Sequence, residues 1–330
     1  MPLGRVKVLQ YCLLQRTCGV GQSLTEVQVI PIPDSEGASI LAELTPPYTL
    51  HKPAEQLTPV VFCSPHSGRI YPKAFLQASR LDPHTLRKSE DCFVDELFEP
   101  VVSLGAPLIA ARFPRAYLDV NREPYELDPE LFHGRLPAFA NTQSARVVGG
   151  LGTIARIVAD AEEIYRERLP VAAAFQRIEK LYRPFHGALA DTLEATRKRF
   201  GMAVLIDCHS MPSASMGQPP GGRPHFVLGD RFGASCDAKL TRFIRDTLQR
   251  AGFEVQVNRP YAGGFITEHY GSPGRSVHAL QLEINRALYL DEATLSKSKD
   301  FPKLMRTLAE MAARVFDALP VLLERRAAAE

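Results

Sequence analysis

The 330-residue chain carries little net charge and no long apolar run. Its formal net charge is +2 at pH 7, which is too small to indicate a nucleic-acid-binding protein. The one dense basic run, at 197–199, falls in a segment with helical spacing and is typical of a solvated helix face. No apolar run approaches the ~18 residues of a membrane span. We therefore expect neither a nucleic-acid partner nor a membrane partner, and no feature of the sequence indicates an oligomeric state.

The sequence also lacks paired-cysteine motifs. Its six cysteines stand at 12, 18, 63, 92, 208 and 236, and no two have Cys-x-x-Cys spacing. A disulfide framework is unusual in a chain of this length, so we expect a reducing, cytoplasmic compartment. The apolar stretch 8–14 is interrupted by Gln10 and has no small-residue cleavage site, which argues against a signal peptide.

What the chain does contain is material for a core, with 45% hydrophobic and 23% charged residues. Strand patterns alternate with amphipathic helix patterns, which predicts a three-layer α/β fold. Residues 1–50 are rich in Gly, Pro and Gln and are predicted to form a poorly anchored N-terminal extension. Its β-type runs, such as 27–30, are candidates for edge strands, and residues 51–330 are predicted to form the main domain.

Two apolar strand patterns each lead to a histidine followed by a serine. The run 59–63 leads to His66, and the run 202–206 ends in a polar turn containing His209. The carboxyl ends of strands in open α/β sheets are where ligands bind. A lone histidine is usually structural, but two at converging strand ends favour a metal site. Asp207 is a candidate to orient one of the imidazoles.

A helix-start signal at 89–91 opens a pattern of apolar residues at helical spacing up to Leu104. Asp91 and Asp95 lie one turn apart on the rim of its apolar face. Either carboxylate could be a metal ligand beside His66, and a capped helix with two solvated carboxylates is the ordinary alternative.

The stretch 114–122 combines strand-like alternation with dense polarity. Apolar and polar residues alternate from Leu118 to Asn121, as on a half-buried strand. Arg115 and Arg122 supply guanidinium groups, which bind planar carboxylates in a bidentate manner. A surface cluster of ion pairs is an equal alternative.

The middle of the chain contains a long loop and then a helical region. Residues 134–153 are rich in small and polar residues and predict a loop near a site. The pattern from 160 to 200 is helical, with breaks expected at Pro170 and Pro184. His186 follows the second proline and is expected to lie in the core or to support a ligand.

A later strand pattern, 279–285, has one apolar and one polar face. Glu283 lies on the polar face; at the centre of a sheet it would have a raised pKa suited to general-base chemistry. The glycine-bearing loop 258–264 would allow close approach of backbone to a ligand. Residues 304–319 are predicted to form an amphipathic helix that covers the sheet.

Together, seven ordered stretches resemble the N-formylglutamate amidohydrolase (deformylase) family over about residues 59–290. They are Ser-Pro-His-Ser-Gly at 64–68, Asp-Val-Asn-Arg at 119–122, Tyr-Arg-Pro-Phe-His at 182–186, Asp-Cys-His-Ser at 207–210, Gly-Ala-Ser-Cys-Asp at 233–237, Gly-Gly-Phe-Ile-Thr-Glu-His-Tyr-Gly at 263–271 and Gln-Leu-Glu-Ile-Asn at 281–285. The resemblance implies a mixed, mostly parallel sheet between helices, like the phosphorylase/hydrolase-like fold of zinc-dependent exopeptidases.

The resemblance also implies a reaction and a set of site residues. The reaction would be metal-dependent hydrolysis of N-formyl-L-glutamate, a small anionic substrate, or of a related N-acyl amino acid, within histidine degradation. The cofactor would be one Zn²⁺ ion. The implied metal ligands are His66, Asp91 and His209, with Asp95 as the alternative acidic ligand. The implied catalytic residues are Glu283 as general base and Arg115 at the scissile carbonyl. The implied substrate-binding residues are Asn121, Arg122, Gly264, His269 and Tyr270, supported by Asp207 and His186.

Three other functions stay open at this point. One is the same chemistry on another N-acyl amino acid or a small peptide. Another is a metal-stabilised ligand-binding protein without turnover, against which the polar-face Glu283 argues. A nucleophilic hydrolase using Ser67 or Ser210 is less favoured, because neither serine lies in a Gly-x-Ser-x-Gly elbow.

Overall fold

The structure is a computed structural model that describes residues 34–158, 161–216 and 223–323. The predicted β-type run 27–30 and the cysteines at 12 and 18 lie outside these ranges. No helix within them is long and apolar enough to cross a membrane.

Helices and short strands alternate along the chain. The strands are β1 (Tyr48–His51), β2 (Val60–Ser64), β3 (Leu108–Ala111), β4 (Phe132–His133), β5 (Leu169–Pro170), β6 (Ala203–Met211), β7 (Phe226–Gly229), β8 (Val255–Val257), β9 (Val277–Asn285), β10 (Leu290–Asp291) and β11 (Ser296–Lys297). The helices are α1 (Asp34–Glu43), α2 (Lys73–Ala78), α3 (Pro83–Arg87), α4 (Val94–Phe98), α5 (Pro100–Ser103), α6 (Ala145–Val148), α7 (Val171–Arg177), α8 (Arg183–Phe200), α9 (Ala238–Arg250), α10 (Phe265–Tyr270) and α11 (Phe301–Leu322), with a π-helical turn at Ile178–Tyr182 between α7 and α8.

The central sheet has seven strands in the order β1-β3-β2-β6-β9-β7-β8. The pairs β2–β3, β2–β6, β6–β9 and β7–β8 are parallel. The pairs β1–β3 and β7–β9 are antiparallel. The prediction of a mixed, mostly parallel sheet is therefore confirmed.

Each central strand contributes alternate residues to two separate cores, because successive side chains point to opposite faces of a sheet. Leu205 of β6 belongs to one core, together with residues of α7 and α8. Ile206 and the β9 residue Leu280 belong to the other, together with residues of α9 and α11. Helices therefore cover both faces, which gives the predicted three layers.

Strand β6 is longer than its apolar pattern indicated. The prediction that it ends before the polar residues was wrong, since the strand continues through Met211. The cause is β9, which pairs in register with all nine residues from Ala203 to Met211. Consequently His209 lies within a buried strand rather than in a turn beyond it.

The predicted half-buried strand within 114–122 is absent from the structure, which has turns there. Its backbone groups bond to other partners instead of a strand ladder. The Asp119 amide donates to the Thr153 carbonyl, and the Asn121 amide donates to the Asp119 carboxylate. Although irregular, this segment is buried from Leu118 to Asn121. We refer to residues 114–122 as the arginine loop.

Two predicted helices have different boundaries. The helix expected from 89–91 begins only at Val94, after Phe93 adopts a left-handed backbone with φ of 60°. In the region predicted helical from 160 to 200, the helix begins at Val171, directly after Pro170. Proline cannot donate to a preceding turn but is tolerated at a helix start, which explains the second boundary.

The predicted extension 1–50 is described only from residue 34 onwards. There, α1 and the edge strand β1 belong to the same compact unit as the rest of the described chain. The division of the chain at residue 50 stays a prediction.

Truncation at the centre of the sheet should cost stability. Leu280 is fully buried in β9, so Leu280→Ala should lower the free energy of unfolding by about 2–5 kcal/mol through lost apolar contact and a cavity. Val321, on α11, is 77% exposed, and Val321→Ala should change the free energy of unfolding by less than about 0.5 kcal/mol. Urea denaturation of both variants measures these two changes. Equal losses of stability would contradict the described core.

Candidate metal centre

Three residues from distant parts of the chain meet at the carboxyl edge of the sheet. One ligand atom from each of His66, Asp91 and His209 lies within 4.8 Å of the other two. All three side chains are buried, with at most 2% of each residue exposed. Asp95, the alternative acidic ligand, instead pairs with Arg69 at 2.6 Å. The structure thus brings together the predicted histidines and the first of the two candidate aspartates.

Backbone geometry fixes His66 and Asp91 relative to each other. His66 stands two residues beyond the buried strand β2. The Asp91 amide donates to the His66 carbonyl at 3.0 Å. The left-handed turn at Phe93 follows immediately and sends the chain into α4. Asp91 therefore sits in a loop that folds back on the histidine, not on the helix face where the sequence pattern had put it.

His66 has one engaged and one unengaged ring nitrogen. Its Nε2 lies 2.7 Å from Asp119 Oδ1, and because a carboxylate only accepts, Nε2 donates. Among the described residues, the buried Nδ1 has no hydrogen-bond partner; it lies 3.4 Å from Asp91 Oδ2. A histidine that donates one N–H to a carboxylate and leaves its other nitrogen unprotonated is arranged as metal ligands usually are.

His209 also contacts carboxylates through both ring nitrogens. Its Nδ1 lies 3.0 Å from Asp91 Oδ2, and its Nε2 lies 3.0 Å from Asp207 Oδ2. Neither buried Asp207 oxygen has a hydrogen-bond partner in the part of the chain that the structure describes. The Asn121 amide group also lies near Nε2, at 3.1 Å.

The hydrogen-bonding state of the cluster atoms indicates whether a cation would fit between them. A cation bound by Asp91 Oδ2 and both Nδ1 atoms would give His66 Nδ1 the partner that it lacks. It would also occupy His209 Nδ1 and leave Nε2 between Asp207 and the Asn121 amide. Two imidazole nitrogens and one carboxylate oxygen form a donor set typical of catalytic zinc sites. The residues present therefore fit a divalent metal ion.

Burial and neighbouring charges shift the pKa values of the cluster. Burial opposes ionisation of Asp91, but the adjacent His209 and His66 imidazoles hold its pKa well below the usual value. Burial likewise opposes ionisation of Asp119, yet Arg115 and His66 hold its pKa well below normal. Both carboxylates are therefore ionised at neutral pH, as metal binding and histidine orientation require.

Glu283 faces the cluster from the neighbouring strand. The β6–β9 register sets it directly opposite His209 and sets Gln281 opposite Asp207. The Gln281 side-chain amide donates to Glu283 Oε1 at 2.8 Å, and the Gly264 backbone amide fixes Gln281 by donating to its Oε1 at 2.7 Å. Burial, reinforced by Asp91, raises the pKa of Glu283 to about 7. This carboxylate can both accept and release a proton near neutral pH.

A cleft of about 330 Å³ opens beside the cluster. Its wall includes charged, polar and apolar side chains: Lys88, Arg115, Asp119, Arg122, Leu151, Ala155, Ile157, Val158, Ser210, Glu283 and Arg286. Leu151 belongs to the 134–153 segment, which was predicted to lie near a site. The cluster itself is not part of the wall, but Asp119 contacts His66 and Glu283 faces His209.

The two arginines of the arginine loop differ in their partners. Arg115 donates to Asp119 Oδ2 at 2.7 Å, and this carboxylate holds the guanidinium at the cleft wall. Arg122 donates to the Asn121 and Leu151 carbonyls at 3.0 and 3.2 Å. Its guanidinium lies 3.7 Å from Asp119 and forms part of the cleft wall.

Two predicted substrate-binding residues have contacts inside the protein instead of in the cleft. Asn121 is 3% exposed; its amide faces His209 and its Oδ1 accepts from the Ile266 amide. A Cβ atom on Gly264 would lie 2.5 Å from the Asn121 side chain. Glycine at 264 therefore makes room for the amide that contacts a cluster histidine.

His186, Tyr270 and His269 also lie outside the cleft wall. His186 Nε2 donates to the Val120 carbonyl at 2.9 Å, and its Nδ1 lies 2.9 Å from the Tyr270 hydroxyl. His269 stacks on Phe265, with ring centroids 5.0 Å apart. His186 and Tyr270 thus tie the arginine loop to α8 and α10, away from the three clustered residues.

Three important residues were absent from the predicted site. Asp119 was noted in a polar stretch and in a family motif but was given no role, although it orients His66. Gln281 lies two residues before Glu283 on the same strand face, so strand alternation alone could have identified it. Arg286 contacts Asp91 across 195 residues of sequence, and no local pattern signals such a pair.

The N-formylglutamate amidohydrolase family model matches residues 58–290. An N-formylglutamate deformylase of Pseudomonas putida is 30% identical over 241 residues, which are 71% of this chain and 82% of the relative. A crystal structure of N-formylglutamate amidohydrolase from Ralstonia eutropha JMP134 has a TM-score of 0.79 at 35% identity, covering 83% of this chain and 99% of that one. A gene product of Agrobacterium tumefaciens, 17% identical with a TM-score of 0.61, covers 82% of this chain and 95% of its own and shares the fold.

The buried His186 should make stability fall in mild acid. Burial lowers the pKa of His186 from 6.5 to about 4. Between these values the unfolded chain binds the proton and the folded chain does not, so stability falls as the pH drops below 6.5. From pH 7 to pH 5 this histidine should cost up to about 2 kcal/mol of unfolding free energy.

Urea denaturation of wild type and His186→Gln at both pH values measures this loss. The free energy of unfolding should fall less between pH 7 and pH 5 in the variant than in wild type. His133 is exposed, so His133→Gln should behave as wild type does. An equal loss in His186→Gln and wild type would contradict the assignment to His186.

Proposed function

This chain belongs to the N-formylglutamate amidohydrolase family, and we propose from that membership that it hydrolyses N-formyl-L-glutamate or a closely related N-acyl amino acid. The products would be the free amino acid and the acid of the acyl group, which is formate when that group is formyl. The observation that carries the proposal is the buried cluster of His66, Asp91 and His209 with Glu283 directly opposite His209. A carboxylate beside a metal-competent cluster at a cleft wall is the arrangement that hydrolysis by activated water requires.

We propose Zn²⁺ as the metal, held by Nδ1 of His66, Nδ1 of His209 and Oδ2 of Asp91. When bound, the ion supplies a Lewis acid that polarises the acyl carbonyl and makes a water molecule more acidic. Asp119 and Asp207 would fix the two imidazoles through their Nε2 atoms.

Glu283 is proposed as the residue that moves the proton. Gln281 engages its Oε1, while its Oε2 has no hydrogen-bond partner among the described residues. Oε2 would take the proton of the attacking water and then deliver it to the leaving amine. Burial raises the pKa of this carboxyl above its usual value, which makes it a stronger base toward the water proton.

The arginine loop is proposed to bind and polarise the substrate. Arg115, held by Asp119, would donate to the acyl oxygen as negative charge develops there. Arg122 would bind the substrate carboxylate and so fix its orientation. For Asn121, Gly264, His269 and Tyr270 we propose an indirect role in substrate binding. Asn121 and Gly264 support the cluster, and Tyr270, with His269 packed against its ring, supports the arginine loop through His186.

A related substrate range is the second candidate. The cleft wall from Leu151 to Val158 includes Ala155 and Ile157 and is largely apolar. Such a wall suits an N-acyl amino acid or small peptide with an apolar group at this position.

A reducing, cytoplasmic location is also proposed, supported by the described cysteines, which are free and buried.

The proposed activity is tested by following amine release from N-formyl-L-glutamate while the metal content of the same sample is measured. Turnover should be abolished by a chelator and restored by Zn²⁺. Metal without turnover would contradict this substrate, and a panel of N-acyl amino acids would then separate the second candidate from a binding protein without activity.

Replacing the proposed base should separate catalysis from metal binding. Glu283→Gln keeps an acceptor for the Gln281 amide but cannot accept the water proton, so kcat should fall by about 10²–10⁴-fold while zinc content stays at the wild-type level. Glu126 is also buried but is not part of the cleft wall, so Glu126→Gln should retain kcat. A Glu283→Gln variant with unchanged kcat would rule out the proposed role.

A further inference from the structure

The two oxygens of the Asp91 carboxylate have different surroundings. Oδ2 faces the histidines, 3.0 Å from His209 Nδ1 and 3.4 Å from His66 Nδ1. Oδ1 faces away from them and accepts from the Ser210 hydroxyl at 3.2 Å and from the Arg286 guanidinium at 3.3 Å. One carboxylate oxygen therefore faces the two histidines, while the other accepts hydrogen bonds from Ser210 and Arg286.

Arg286 is held rigidly while it contacts Asp91. It directly follows β9 and is 4% exposed. Its Nη1 donates to the Lys88 carbonyl at 2.8 Å, and its Nε donates to the Ser210 hydroxyl at 3.1 Å. All three guanidinium nitrogens therefore have protein partners, and two of these interactions converge on Asp91, one directly and one through Ser210.

We propose that Arg286 and Ser210 are positioning residues that hold Asp91 Oδ1 and thereby leave Oδ2 as the single carboxylate oxygen for the metal. The inference rests on the proposed metal site and deepens it. A carboxylate that is free to rotate can bind a metal through either or both oxygens. Engaging Oδ1 with two fixed donors removes that freedom before the metal arrives, which lowers the entropic cost of binding.

Charge supports the same role. Asp91 is fully buried, and an ionised carboxylate without partners is costly in such surroundings. The guanidinium compensates the negative charge without competing for Oδ2. Lysine at 286 would keep the charge but lose the planar set of donors that reaches Ser210, Asp91 and the Lys88 carbonyl together.

Arg286 also lines the cleft, so it could contact substrate instead. The two roles differ in what they change. A positioning residue alters metal affinity in the absence of substrate, whereas a residue that binds only substrate alters KM and leaves metal affinity intact.

The test titrates metal-free full-length protein with Zn²⁺ in competition with a chromophoric chelator, for wild type, Arg286→Lys, Ser210→Ala and the double variant. Each single change should weaken zinc affinity by about 10–100-fold, as is common when a group that orients a ligand is lost. Because both act on Oδ1, the double variant should lose less than the product of the single losses.

Two control variants account for nonspecific destabilisation. Thr241 is a buried residue whose hydroxyl donates to the buried Asp230 carboxylate at 2.9 Å, as Ser210 does to Asp91. Arg245 is half-buried on α9 and donates to the Asp246 carboxylate at 2.7 Å. Thr241→Val and Arg245→Lys should retain wild-type zinc affinity, and urea denaturation of all variants identifies any that fail to fold.

The outcomes separate this inference from the proposed function. Wild-type zinc affinity in both Arg286→Lys and Ser210→Ala overturns the positioning role, even if KM rises, while the metal site and its chemistry stand. If wild-type protein binds no zinc, the proposed metal and this inference fail together. Weakened zinc binding in both variants but not in the controls supports the inference.

Discussion

Nine residue pairs between β6 and β9 hold His209 directly opposite Glu283 and Asp207 opposite Gln281. The period of two along each strand puts all four polar side chains on one face of the sheet, while the intervening residues fill the core on the other. A shift of one residue would send the whole polar set into that apolar core. Hydrophobic burial on one face therefore fixes the register of the two strands. That register in turn fixes the positions of the polar side chains on the other face.

Around this ladder the protein concentrates ionisable groups that are costly to bury. The carboxylates are those of Asp91, Asp119, Asp207 and Glu283, and the guanidiniums are those of Arg115, Arg122 and Arg286. Buried ion pairs return little net stability because desolvation offsets their attraction. A divalent cation at the cluster would offset part of this negative charge. Together with Lys88, Arg115 and Arg122 at the cleft wall, it would favour an anionic molecule there.

Local patterns predicted more of the fold than of the site. Strand and helix periodicity identified β2, β6, β9 and the alternation of layers, and strand-end histidines identified His66 and His209. The choice between Asp91 and Asp95 depended on the left-handed turn at Phe93, which has no reliable signal in a phenylalanine. The arginine loop resembled a strand because its side chains alternate in polarity. Its backbone groups, however, form hydrogen bonds with residues such as Thr153 and His186. These partners are too distant in the sequence for a local pattern to reveal them.

The three clustered residues come from separate segments, and Asp91 and His209 alone are 118 positions apart in the sequence. An unfolded chain cannot bring them together, so a cation that binds all three selects the native state. At a free concentration 100 times its dissociation constant, such a cation would add about 2.7 kcal/mol to the unfolding free energy. That increment is comparable to the loss of a buried leucine side chain. Supply of the ion would then govern how long the folded chain persists as well as whether it is competent for chemistry.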